Sequence, residues 1–328
     1  MVAPEIWIPL VVVGVSAFFM AVYGSGKEMS INPFKDKNLL ERGLTMPTIW
    51  LYYNDSDVNS RWWQDFGARS ARVLNVPFLN LCYNRIVELN KKTYKVEVIG
   101  GLTDLATRLG GWQEMPKGLQ SPLASVGPAE MNWIRAEVLA KFGGLWVHPA
   151  TIALKPFPLI PHDRVVFYGT DPDETYSGPN GTSIPSMYVM GAGKAKNPIF
   201  EEWAQASFER LDKQGGGNQI REDAKWDFTQ FAASKETVDM LPNEELSRCD
   251  KGGKRIQVEN LLAIGPSPWP SGGKGRAGDL CFHVKKESIY VPVPWKEINE
   301  RRMFGWFLRL SEEQILASEL VISDLLQS

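Results

Sequence analysis

Cysteine is scarce: Cys82, Cys249 and Cys281 are the chain's three, and none stands in a CxxC spacing. A disulfide framework is therefore not expected, because at most one pair can form. Histidine is equally sparse, and His148, His162 and His283 are too scattered for an HExxH zinc signature. Charge of one sign is lacking too: the formal net charge is -2. This gives no global electrostatic reason for nucleic acid as a partner, and none is expected. Neither "GGG" at 215–217 nor "SGGKG" at 271–275 has the spacing of a phosphate-binding P-loop. What the chain does have is apolar material: 44 % of its 328 residues are hydrophobic and 23 % are charged. That is enough for a substantial core and excludes a mainly disordered protein.

Residues 6–23, "IWIPLVVVGVSAFFMAVY", carry no charge. A run of about 20 such residues crosses a bilayer as a helix. No Lys or Arg precedes it, which argues against a secretory signal peptide. Lys27, Lys35, Lys37 and Arg42 all follow it. Basic flanks are retained on the cytoplasmic-equivalent side, so the expectation is a single-pass membrane protein. Its large domain would face the cytosol, the mitochondrial matrix or a plastid stroma. The expected organisation is a transmembrane helix with its short flank at 1–24, a tether at 25–46, an α/β domain at 47–310 and a C-terminal helix at 311–328.

Within the soluble part, strand and helix signals alternate, which favours an α/β domain. Residues 49–53 read as a buried first strand. The stretch 60–73 has helical spacing of its apolar residues. "PFLNLCY" (77–83) and "YKVEVIGG" (94–101) read as strands on either side of a helix-like "NRIVELNKK". The clearest helix covers 129–142, with Trp133, Ile134, Val138 and Phe142 at three- to four-residue spacing and Gly143-Gly144 as its stop. Leu145 to Val147 then starts a strand. "RVVFYGTD" and "SMYVMGAG" read as further strands, "NPIFEEWAQASFERLDKQ" as an amphipathic helix and "GPSPWPSGGKGRAGD" as a loop. "SEEQILASELVISDLLQ" reads as a helix opened by a capping box of Ser311 and Gln314.

Four blocks carry a family likeness: "PTIWLYYNDSD", "LCYNRIVELNKKTYKVEVI", "NWIRAEVLAKFGGLWVHPATIALKPF" and "SMYVMGAGKAKNPIFEEW". In this order they resemble the capsular polysaccharide synthesis glycosyltransferases, within the wider group that bears a DxD-containing sugar-binding region. The resemblance implies a GT-A-like, Rossmann-like α/β domain that holds a nucleotide-sugar through Mn or Mg. Carboxylates on the metal would offset the negative charge of the diphosphate leaving group. The family pattern places an acid three residues before an Arg on the helix, and a DxD after the double glycine and the aromatic strand. Here Arg135 is kept, but Asn132 stands at the acidic position, and His148 and Ala150 stand at the two DxD positions.

Those losses point away from catalysis. Ala150 offers no ligand, Asn132 no charge, and His148 is a poor match to a metal that prefers oxygen. No catalytic residue, metal or cofactor is expected, and the chain reads as a pseudoenzyme of glycosyltransferase ancestry. Membrane lipid and other subunits of a membrane complex are its expected partners, with the mitochondrial inner membrane one candidate site. The alternative is an active transferase that binds its donor through Tyr52, Tyr53 and Arg135, with Asp171 and Asp173 as substitute carboxylates. Each also has a plain structural reading: core aromatics for the tyrosines, an ion pair with Glu130 or Glu137 for Arg135, and a solvated turn for the aspartates.

Overall fold

The computed structural model describes residues 46–54, 76–168, 186–214, 238–241, 257–264 and 288–328. The expectations placed on 1–45, 60–73, Asp171, Asp173 and 265–279 lie outside the described residues. Among those described, no helix is long and apolar enough to cross a membrane.

Strand β1 (Thr48–Tyr53) opens the domain and is followed by helix α1 (Pro77–Asn90), strand β2 (Lys95–Gly100) and helix α2 (Gly101–Leu109). Helix α3 (Pro128–Phe142) leads into β3 (Gly144–Val147), β4 (Thr151–Ala153), β5 (Val165–Tyr168), β6 (Val189–Ala192) and helix α4 (Pro198–Gln214). Strand β7 (Val238–Leu241), helix α5 (Val258–Leu261), strand β8 (Tyr290–Pro292) and helices α6 (Trp295–Glu300), α7 (Glu312–Ala317) and α8 (Val321–Gln327) complete the described chain.

The main sheet has the order β2-β1-β3-β6-β5-β7, and β4 pairs with β8 in a separate two-stranded sheet. Strands β2, β1 and β3 run parallel, β6 runs against its neighbours β3 and β5, and β7 is parallel to β5. This mixed, parallel-rich α/β sheet fits the GT-A-like architecture expected from the sequence. Its central strands β1, β3, β6 and β5 are buried on both faces, as such strands must be. Alternation along β1 divides the two cores: Ile49, Leu51 and Tyr53 face α1, the small sheet and the C-terminal helices. Trp50 and Tyr52 face α2, α3 and α4.

Two expectations are corrected. Residues 77–83, read as a strand, form the first half of α1. Pro77 sits at the helix start, where its missing N–H costs nothing, and buried Phe78, Leu79, Cys82 and Ile86 share one helical face. The 311–328 stretch forms two short helices instead of one. The Ser311 box is present, with the Gln314 amide donating to Ser311 Oγ at 3.2 Å and Gln314 Oε1 accepting from the Ser311 amide at 2.9 Å. The break falls at Ser318, which is extended (φ -77°, ψ 152°). There the Ile315 carbonyl accepts from the Ser318 amide at 3.2 Å and from the Ser318 and Ser323 hydroxyls at 2.8 and 2.6 Å.

Candidate nucleotide-binding edge

The chain builds β2 on one side of β1 and β3 on the other. In open α/β sheets that reversal leaves a crevice at the carboxyl ends of the strands, where ligands bind. The carboxyl end of β1 is Tyr53 and Asn54, and that of β3 is Val147 and His148.

The double glycine brings α3 to this edge. Gly143 (φ 65°) and Gly144 (φ 90°) are left-handed, and a Cβ on either would strike backbone, Lys194–Ala195 at Gly143 and Thr48 at Gly144. The helix therefore doubles back directly into the strand. Seven residues of helix and three of strand each span about 10 Å, so Arg135 stands level with the end of β3. Asn132, three residues earlier, shares its helical face.

These residues do come together. Arg135 donates to the Asn132 side-chain carbonyl at 2.9 Å, and both are buried. The Arg135 guanidinium carbon is 6.0 Å from the centre of the Trp146 ring, and Tyr52 stacks on that ring at 6.4 Å. Asn132 thus holds Arg135 through a neutral acceptor. Glu130, a suggested ion-pair partner of Arg135, instead accepts from the Gly127 amide at 2.9 Å in the helix cap.

At the first DxD position the His148 ring is part of the backbone turn. Its Nδ1 accepts the Ala150 amide at 3.2 Å, its own amide donates to the Tyr188 carbonyl at 2.8 Å, and its ring lies 4.8 Å from that of Tyr188. Lost hydration, and secondarily the Arg135 charge, push its pKa down to about 3. The ring is neutral at ordinary pH, with its proton on Nε2. A histidine that binds metal through one nitrogen donates a proton from the other, whereas here Nδ1 accepts one. Ala150, fully buried, belongs to the core around α1 and the small sheet. This donor set does not fit a divalent metal held in the DxD manner. Among the described residues no group of three or more His, Cys, Asp or Glu side chains is arranged to hold a metal ion.

Beside β1 lies a pocket of about 350 Å³, lined by Tyr52, Asn54, Leu102 and residues 122–126. Of these only Tyr52 was singled out from sequence. The others come from the end of β1 (Asn54), the start of α2 (Leu102) and the loop that leads into α3, and the signal for them is the position of the reversal beside β1. Tyr53 points into the opposite core and is fully buried. A larger, more open depression of about 590 Å³ lies where α3 ends and α4 begins. Its Glu137 carboxyl is raised by burial, against the pull of Lys141 and with the push of Glu114 and Glu201. It lies near the start of β3, away from the carboxyl edge, and its charges are mixed.

No family model matches the chain, and no curated protein matches it. Among solved structures, one described as PaToxG glycosyltransferase is 12 % identical, with a TM-score of 0.33 over 56 % of this chain and 68 % of that one. A second, described as a transferase mutant, is 10 % identical, with a TM-score of 0.31 over 58 % and 87 %. Likenesses this distant carry no argument, and the α/β assignment rests on the sheet itself.

Proposed function

We propose that the chain is a membrane-tethered, glycosyltransferase-like protein that no longer catalyses transfer and serves as a structural or accessory subunit of a larger membrane assembly. The observation that supports this reading is the turn at His148. Its Nδ1 accepts the Ala150 amide at 3.2 Å, so a position that would hold a metal in the resembled family instead closes a turn. Asn132 and buried Ala150 add no carboxylate there. The uncharged run at 6–23 and the basic flank after it support a single span with the domain on the cytosolic, matrix or stromal side. The mitochondrial inner membrane satisfies that orientation.

The test is calorimetric titration of the purified chain with UDP- and GDP-sugars in the presence of Mn²⁺. No metal-dependent heat is expected. Micromolar metal-dependent binding, or sugar transfer abolished by Asp171→Ala or Asp173→Ala, would establish the active transferase instead. The assembly role is checked separately: native protein should purify in stoichiometric amount with other membrane subunits, and recovery as a lone chain counts against it.

A further inference from the structure

Residues 302–309 form two 3-10 turns, Arg302–Phe304 and Phe307–Arg309, joined through Gly305 and Trp306. With three residues per turn, side chains at i and i+3 eclipse. One row, Phe304 and Phe307, is buried, and Phe307 packs 5.4 Å from the Phe78 ring of α1. The neighbouring row, Met303, Trp306 and Arg309, faces solvent: Met303 is 59 % and Trp306 45 % exposed. Arg302 is exposed beside it.

Among the described residues, several charges around this row are already paired. Glu259 and Glu297 pair with Arg301 at 2.5 and 3.6 Å, and Glu300 pairs with Lys296 at 3.9 Å. Glu312 accepts from Asn80 and Glu313 from Ser311 at 2.7 Å, neutral donors that hold these carboxylates without cancelling their charge. Among the described residues neither Arg302 nor Arg309 has an acidic partner. The result is a row of one tryptophan and one methionine, backed by buried Phe304 and Phe307 and flanked by two guanidinium groups with no ion-pair partner among the described residues.

We propose that this row seats the globular domain on an anionic lipid surface. Tryptophan settles at the headgroup level of a bilayer, methionine adds apolar area, and each arginine near an anionic surface contributes to binding. The inference rests on the membrane-tether reading only in that a tether at 25–46 keeps lipid at high local concentration. The lipid contact itself follows from the row's chemistry.

The full-length chain is placed in nanodiscs of phosphatidylcholine alone or mixed with phosphatidylglycerol, and amide exchange is followed over 301–310. Exchange there should slow about tenfold in the anionic discs only. The protection should vanish at high salt and in Arg302→Gln with Arg309→Gln, which together remove about thirty-fold of anionic-surface affinity. Both side chains are exposed, so this variant should keep the wild-type circular dichroism, and Trp306→Ala gives an independent second variant. Embedding in both discs with identical exchange over 301–310 overturns the proposal and leaves the tether reading standing. Failure to embed, together with row-dependent binding to anionic vesicles, supports the proposal and removes the tether. Recovery with neither lipid overturns both. Protection that appears only in the native complex, and not with anionic lipid, assigns the row to an acidic protein and overturns the lipid surface.

Discussion

At Gly144 a backbone torsion of φ 90° and the Thr48 carbonyl leave no room for a side chain. Gly144→Ala should therefore cost about 2–3 kcal/mol, read as a lower urea midpoint with an unchanged slope. Three residues past the end of that strand, Ala150 is fully buried in the core, and Ala150→Asp tests how closed that position is. The buried acid should lose about 3 kcal/mol or more at neutral pH. Its folded pKa would be raised, so the deficit should shrink as pH falls through that raised value; an undiminished midpoint would show the site to be open to water. His148 has the opposite dependence. Its folded pKa of about 3 lies below the ~6.5 of an unfolded histidine. Between these values the unfolded chain binds more protons, so stability falls as pH drops, by at most ~1.4 kcal/mol per pH unit. His148→Asn keeps an acceptor for the Ala150 amide and removes the titration. Its stability should be flatter than wild type between pH 6.5 and 3, and parallel curves would refute the assignment. These three residues were legible in sequence, Gly144 as half of the double glycine that stops the helix, and His148 and Ala150 because they stand where the resembled family has carboxylates. The bond from the Ala150 amide to the ring was not, since it depends on a side-chain rotation that spacing does not encode.

Among the elements, those with one dominant local signal were legible. Helix α3 ends at its double glycine, and β1, β2, β5, β6 and α4 fall where apolar patterning puts them. Three cases defeated local reading for separate reasons. A short apolar run such as "PFLNLCY" suits strand or helix equally, and burial against Trp295 and Phe307 decides for helix. The β4–β8 pair joins Thr151–Ala153 to Tyr290–Pro292, so its three-residue strands are defined only by a partner far along the chain. The C-terminal helices are fixed from outside by Arg85 of α1, which donates to the carbonyls of Ala153, of Leu326 at 2.8 Å and of Ser328 at 2.5 Å. This one side chain ties α1, β4 and α8 together. Arg85→Met should cost about 2–3 kcal/mol and speed amide exchange across 321–327 more than across α3. Uniform acceleration would mean that the clamp has no local role.

For the domain as a whole, β1 and β3 decide how stability is shared. Alternate residues of each strand belong to opposite cores: Ile49, Leu51, Leu145 and Val147 to one, Trp50, Tyr52 and Trp146 to the other. Neither helical layer can leave without exposing a face of strands that the other layer still needs. The described domain should therefore unfold as one unit despite having two cores. Indole reporters are unevenly placed, with Trp50, Trp133, Trp146 and Trp203 in the α3 side and Trp295 in the C-terminal side. Trp203→Phe and Val291→Ala each weaken one core, the second by about 1–3 kcal/mol. In both variants the fluorescence and far-ultraviolet dichroism transitions should shift together and remain coincident, as an all-or-none transition requires. A transition that splits in Val291→Ala, with dichroism lost before the indole signal, would show that the small sheet and the C-terminal helices detach on their own. The carboxyl edge would then be held by the α2–α4 layer alone, and the turn at His148, which is tied to the small-sheet side through Ala150 and Tyr188, would open with the first step.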